Sequence, residues 1–141
     1  MRSNLIKKYN LLDLGTLIHG HPDVDNNCEI CLGSVDNNNL ILNKAYKDNV
    51  INIAYIPKEA IANISVLDQT TFENTETWMR QSYIFKKYTI AFHNKIEHTL
   101  VYLIIKWNDG RFDHETVFAY SNSDAMNTAN KVRNILIRML R

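Results

Sequence analysis

Apolar and polar residues alternate through much of the chain between positions 28 and 120, and this alternation predicts β-strands. The segments that carry the pattern are 28–35, 40–42, 50–56, 60–67, 99–107 and 111–120. Tight turns are expected at Asp36–Asn39 and Asn108–Gly110, because Asn, Asp and Gly adopt the backbone conformations that such turns need. Pro57 is expected to end its strand. Consecutive strands joined by tight turns pair antiparallel, so the chain should form an antiparallel sheet.

Two segments indicate where the core lies. Segment 99–107 is apolar at nearly every position and is predicted to be buried on both faces. Segment 111–120 offers Phe112, Val117 and Phe118 as core residues. Residues 44–49 and 68–77 are polar and are predicted to be loops. The aromatic and basic stretch 78–92 is predicted to form one long or two short strands.

The last part of the chain follows a helical period instead. Its apolar residues recur at spacings of three and four positions, which predicts an amphipathic helix over 123–140. The residues expected to face the core are Ala125, Ala129, Val132, Leu136 and Met139. The residues expected on the opposite face are Lys131, Arg133, Asn134 and Arg138. The predicted fold class is therefore α+β and mainly β, a curled antiparallel sheet closed by one C-terminal helix.

Several short motifs within this order of elements are similar to those of the bacterial pleckstrin-homology-like (PH-like) domain family. The matching positions are His19, Gly20, Pro22, Cys28, Leu40–Leu42, Ile56, Pro57, Ile61, Ile64, Tyr102, Asn108–Gly110 and Phe118. The resemblance implies a bent antiparallel barrel of about seven strands, with the C-terminal helix closing one end. It divides the chain into a lead-in segment, 1–17, and a PH-like domain, 18–141.

The resemblance also implies where such a domain binds. The surfaces used are the loop end of the barrel and the groove between the fifth strand and the helix, where a peptide adds a strand. Two features of the chain depart from the family. The first hairpin, Gly33–Asn39, has no basic residue to hold a phosphate. The segment 78–98 has no glycine and is basic, unlike the Gly-rich apolar hairpin of many relatives.

Charge and composition narrow the function classes. The formal net charge is +1, so no strong overall field attracts nucleic acid or an anionic membrane. Lys7 and Lys8 interrupt the apolar start, and no signal peptide is expected. The run Leu100–Ile105 is the longest apolar candidate and is far short of the ~20 residues of a membrane helix. A cytoplasmic location with two free thiols is the expectation.

Basic and aromatic side chains interleave in one stretch, and they are the predicted binding residues. They are Trp78, Arg80, Tyr83, Lys86, Lys87 and Lys95. Such a surface stacks bases and contacts phosphates. The same pattern also describes a strand with aromatic side chains inward and lysines outward, and the low net charge favours this structural interpretation.

Two histidines and two cysteines, His19, His21, Cys28 and Cys31, have the composition of a zinc site. Their order and spacing fit no common zinc motif. In a strand, Cys28 and Cys31 would point to opposite faces, leaving one thiol buried and one exposed. No metal and no cofactor are therefore predicted, and zinc on these four residues is the less favoured alternative.

No catalytic motif emerges from the sequence. His93, Glu97 and His98 do not have the H-E-x-x-H spacing of a metalloprotease, and no nucleophile elbow or phosphate loop occurs. The chain is predicted to be a non-catalytic binding or adaptor module for an unidentified protein partner. An accessory role in a phage or mobile element fits its size. The alternatives are binding of nucleic acid or an anionic membrane surface through 78–95, and an active site assembled from distant residues.

Overall fold

The computed structural model of the chain describes residues 2–24, 27–76 and 100–141. Within those ranges it contains two antiparallel sheets and a long C-terminal helix. The strands are β1 (Leu12–Asp13), β2 (Thr16–His19), β3 (Cys31–Val35), β4 (Asn39–Tyr46), β5 (Asn49–Pro57), β6 (Ile61–Asp68), β7 (Val101–Asn108) and β8 (Asp113–Tyr120). The helices are α1 (Arg2–Tyr9), α2 (Gln69–Glu73) and α3 (Ala125–Met139), with a 3₁₀ turn at Lys58–Ala60.

Each sheet has four strands, in the orders β1-β3-β4-β5 and β2-β8-β7-β6. Every pairing is antiparallel, as the turns predict. The mainly β, α+β class is thus confirmed. A short bend at Leu14 and Gly15 carries the chain from β1 into β2 and so from one sheet to the other. Gly15 has φ +70°, and a Cβ there would lie 2.3 Å from the backbone oxygen of Ala119, so this crossing requires glycine.

The main core lies between the inner faces of the two sheets and α3. Buried side chains from both sheets and the helix meet there, among them Leu42, Ile56, Leu103, Phe118 and Leu136. The lead-in segment contributes to this core, because Leu14 and Leu17 are fully buried in it.

Four of the five helix residues predicted to face the core, Ala125, Ala129, Val132 and Leu136, are buried. The fifth prediction, Met139, is wrong because its side chain is 42% exposed. Leu140, four residues after Leu136, packs against the core instead. At 3.6 residues per turn, either i+3 or i+4 continues an apolar face, and only the position of the sheet selects between them.

Both sheets also bury apolar side chains on their outer faces. On the first sheet, Leu32 packs with Leu5 and Leu11 from the α1 region. On the second, Tyr102 of β7 lies against Phe72 of α2, with ring centroids 4.3 Å apart. The prediction that the β7 segment is buried on both faces is confirmed, since Val101–Ile105 are all buried.

Three local predictions are wrong. Segment 68–77 contains helix α2, because Asp68 Oδ1 accepts a 2.7 Å hydrogen bond from Thr71 N and caps the helix start. Residues 44–46 continue β4, and the turn tightens at Lys47, which has φ +53°. Phe112 is 58% exposed because it belongs to the turn before β8. The strands predicted at 78–92 lie outside the described residues.

Candidate functional site

The predicted binding residues lie outside the part of the chain that the structure describes. These are Trp78, Arg80, Tyr83, Lys86, Lys87 and Lys95. The described residues instead bring together two other groups. One is the pair of cysteines at the start of β3, and the other is the hairpin formed by β4 and β5.

Cys28 and Cys31 do not share a strand, which overturns the prediction of one buried and one exposed thiol. The strand β3 begins at Cys31, and Cys28 makes only an isolated bridge to Leu17. Two backbone hydrogen bonds hold that bridge, Leu17 N to Cys28 O at 2.9 Å and Cys28 N to Leu17 O at 3.0 Å. Because residues 29 and 30 form a bend, the alternation rule does not apply, and both cysteines are buried.

The bend between the cysteines is held by its own hydrogen bonds. Thr16 Oγ1 donates to Glu29 O at 2.8 Å, and Ala45 N donates to Ile30 O at 3.2 Å. Cys31 N donates to Gly15 O at 2.9 Å. The backbone on both sides of the bend is therefore fixed. Both cysteines are free thiols, and Cys28 Sγ donates to Ile30 O at 3.3 Å.

The two thiols differ in acidity. The hydrogen bond from Cys31 lowers the pKa of Cys28 below its ordinary value, and the charge of Lys44 acts in the same direction. The same hydrogen bond, together with burial, raises the pKa of Cys31 well above its ordinary value. Cys28 is thus the thiol that ionises first, and Cys31 stays protonated and donates to it.

The histidines of the predicted zinc set have other roles. His21 is buried, its Nδ1 accepts from Asp23 N at 3.1 Å, and its Nε2 lies 2.9 Å from Tyr55 O. Since a carbonyl only accepts, Nε2 is the donor of this hydrogen bond and Nδ1 is the acceptor of the other. Burial lowers the pKa of His19. Within 2–24, 27–76 and 100–141, no three His, Cys, Asp or Glu side chains are grouped as metal ligands.

Aromatic rings and a buried hydroxyl join β2, β7 and β8 near the Asn108–Asp113 turn. Trp107 lies 5.2 Å from His21 and 4.6 Å from His114 between ring centroids. Its Nε1 donates to Thr116 Oγ1 at 2.9 Å, and Thr116 Oγ1 donates to Gly20 O at 3.0 Å. These bonds satisfy the buried polar atoms internally, so this group is structural.

The β4–β5 hairpin exposes large side chains that sequence reasoning did not single out. Ile51 is 47% and Tyr55 48% exposed, and both belong to β5, which pairs only with β4 among the described residues. Tyr46, at the end of β4, is also exposed. Tyr9 of α1 donates to Asn49 Oδ1 at 3.0 Å and adds a further ring beside the turn. The sequence did contain a signal for this site: the strand has apolar residues on both faces and no charged residue that would protect its edge from pairing.

The outer edges of the two sheets are partly covered by side chains. His21 donates to Tyr55 O on β5. Arg133 Nε of α3 donates to Ile64 O on β6 at 2.8 Å, so Arg133 does not lie on the solvent side of the helix as predicted. Among the described residues, Tyr9 is the side chain from another element that hydrogen-bonds to β5 before Tyr55, and it does so at Asn49 Oδ1.

Comparison with known proteins gives no relative: no family model, no curated protein and no solved structure matches the chain. In the described ranges, every helix is too short or too polar to cross a membrane.

Proposed function

We propose that the chain is a PH-like, non-catalytic binding module that engages a protein partner at the edge of β5. The strand order supports the fold part of this proposal. Through the bent strand β1–β2, the strands follow one another as β5-β4-β3, then β1–β2, then β8-β7-β6. Among the described residues β5 and β6 do not pair with each other, and α3 packs against β6. A bent sheet with one open seam beside a C-terminal helix fits the PH-like arrangement.

Strand β5 exposes side chains on both of its faces, and this exposure is the main support for a binding site at its edge. The register shifts between Leu42 and Asn43, where Ile53 is an additional residue on β5. This bulge reverses the alternation, so Ile51 and Tyr55 lie on opposite faces although they are four residues apart. A partner that adds a strand to this edge covers side chains on both faces, whereas a flat partner surface covers only one.

The bond from His21 limits where such a strand pairs. Because Tyr55 O already accepts from His21 Nε2, a partner strand is expected along Asn49–Asn52 and not beyond Tyr55. Tyr46 lies on β4 directly across the ladder from Asn49, one strand away from the partner, where its ring can contact the side chains that the partner places over β5. In strand addition the main-chain hydrogen bonds give affinity, and side chains near the edge, such as aromatic ones, make the binding specific for one partner.

Site-specific photo-crosslinking in host cells tests this proposal. A photoreactive phenylalanine analogue at position 51 should give a discrete crosslinked protein, and the same analogue at position 112 should not. Position 112 is the matched control because Phe112 is equally apolar, 58% exposed, and in a different hairpin. Adding Tyr46→Lys should reduce the crosslink at position 51 while the thermal melt stays unchanged. Equal crosslinking at both positions, or none at position 51, would refute partner binding at β5.

Binding of nucleic acid or an anionic surface through 78–95 stays a prediction, since those residues are not described. The dependence of binding on salt concentration distinguishes this alternative from binding of a protein partner at β5. Phosphate binding weakens steeply with ionic strength because counterions are released on binding, whereas strand addition depends mainly on hydrogen bonds and apolar contact. A crosslink at position 51 that still forms in lysate when salt is raised and nuclease added before irradiation supports the protein partner.

A further inference from the structure

The arrangement of Cys28 and Cys31 has no part in the proposed binding of a partner at β5. The two thiols are buried in one cluster on either side of the bend at residues 29 and 30, and Cys28 Sγ donates to Ile30 O at 3.3 Å. The charge of Lys44 acts on Cys28. Lys44 stands directly across the β3–β4 ladder from Cys31. A cation beside a hydrogen-bonded thiol is the environment that makes a cysteine nucleophilic.

We propose that Cys28 and Cys31 are a redox pair that a hydroperoxide converts to an intramolecular disulfide. Cys28 is the attacking thiolate and Cys31 the resolving thiol. Both side chains belong to one buried cluster, and only the two-residue bend at 29 and 30 separates them along the chain, so closure requires that the two Sγ atoms approach to about 2 Å. The fixed backbone on either side of the bend holds the two residues at this short separation.

The first step transfers an oxygen atom. The Cys28 thiolate attacks the terminal oxygen of the hydroperoxide, an S–O bond forms, and the O–O bond breaks. The leaving alkoxide takes a proton and departs as an alcohol, or as water when the oxidant is hydrogen peroxide. Cys28 becomes a sulfenic acid, and the peroxide is reduced by two electrons.

The second step closes the disulfide. Cys31 loses its proton and attacks the sulfur of the Cys28 sulfenic acid. The S–S bond forms, the S–O bond breaks, and the hydroxide leaves as water with the proton from Cys31. Two thiols have then been oxidised and one peroxide reduced. Two equivalents of a small thiol reverse the reaction by exchange, releasing a small disulfide.

The acidity of the two groups supports this order of attack. The pKa of Cys28 is lowered chiefly by the hydrogen bond from Cys31, and that of Cys31 is raised chiefly by the same bond. Position also supports it. Cys28 is 4% exposed between the exposed residues Asn27 and Glu29, whereas Cys31 is fully buried within the ladder. We therefore expect an oxidant to reach Cys28 before Cys31.

The test uses hydrogen peroxide on the full reduced chain. After treatment, the protein is denatured, alkylated and digested, and the peptide containing both cysteines is weighed. The expected result is loss of both alkylatable thiols, with a mass lower by two hydrogen atoms, and full recovery after a small dithiol. Peptide mapping separates this change from oxygen added at Met126 or Met139, which are exposed. A peptide that still alkylates at both positions would overturn the proposal.

Two single variants test the order of the steps. Cys31→Ser should stop at a sulfenic acid on Cys28 that dimedone traps, and Cys28→Ser should leave Cys31 reduced at the same peroxide dose. Dimedone on Cys31 but not on Cys28 would contradict the assignment. Near-ultraviolet circular dichroism shows whether both variants are folded. If one is not, the relative alkylation rates of the two thiols in the reduced wild-type chain decide the order, with Cys28 expected to react first.

Discussion

Gly20 and Gly110 share a backbone conformation and differ in surroundings. Their φ angles are +101° and +100°. A Cβ on Gly20 would lie 1.8 Å from the backbone oxygen of Glu115, whereas a Cβ on Gly110 meets nothing within 4 Å. The two positions therefore separate the cost of the backbone conformation from the cost of a steric clash.

We expect Gly110→Ala to lower the free energy of unfolding by about 1–2 kcal/mol, the cost of a positive φ in a residue with a Cβ. Gly20→Ala should cost clearly more, about 3 kcal/mol or above, since the backbone of β8 must also move. Urea denaturation of both variants measures the difference. Equal losses would mean that Gly20 and β8 do not approach as closely as the structure indicates.

Asp109 makes the Asn108–Asp113 turn sensitive to acid. Its Oδ2 lies 2.8 Å from His114 Nε2, and its Oδ1 accepts from the backbone N–H groups of Arg111 and Phe112. The hydrogen bond with His114 is the main cause that lowers the pKa of Asp109 from 3.8 to about 2. Because the folded pKa is depressed, the stabilisation is fully present above pH 3.8 and is lost as the pH falls through about 2.

Asp109→Ala should therefore reduce the free energy of unfolding at neutral pH, and its difference from wild type should shrink as the pH falls towards 2. His114→Ala should show a weaker form of the same trend, since the two backbone hydrogen bonds to Asp109 remain. Denaturation of the three proteins at a series of pH values provides the check. A difference that is constant with pH would exclude the proposed role of the carboxylate.

Among the secondary-structure elements, helix α3 shows how much a periodic pattern of apolar residues predicts. The spacing of apolar residues predicted its existence, its extent to within two residues, and four inward side chains. It did not reveal that Arg133 bonds to Ile64 O, because α3 and β6 are brought together only in the folded molecule.

The helix also offers a matched pair of substitutions. Leu136 is fully buried, whereas Met139 is 42% exposed one turn later. Leu136→Ala should lower the free energy of unfolding by about 2–5 kcal/mol, because it leaves a cavity between the sheets and the helix. Met139→Ala should change it by about 0.5 kcal/mol or less. Similar losses in both variants would place Met139 in the core, as its spacing alone suggested.

In the β4–β5 hairpin, by contrast, the local sequence pattern was misleading. The polarity of residues 44–49, with Lys44, Lys47 and Asp48, predicted a loop, yet the ladder continues to Tyr46 and Asn49. Backbone pairing with β5 outweighs the local polarity, because β-propensity depends mainly on the neighbouring strand. The bulge at Ile53, which exposes both faces of β5, has no signature in the sequence that distinguishes it from regular alternation.

For the whole molecule, the decisive contacts join distant parts of the chain. Thr16 of β2 pairs with Ala119 of β8, and Tyr120 Oη donates to Asp13 O at 2.6 Å. These contacts divide the strands between two sheets and make the lead-in segment part of the core. Alternation within each strand shows that one face is buried, but it does not identify the partner strand.

Sequence alone determined the local properties of this protein: the antiparallel strands, most turns and the apolar face of α3, since each depends on spacing and backbone preference over a few residues. Tertiary structure decided the rest. It gave the chain its two sheets, the edge of β5 that pairs with no other described strand, and the burial of both Cys28 and Cys31, where a bend beside Leu17 replaces the expected strand. These features depend on which distant segments meet, and that follows from packing of the whole chain.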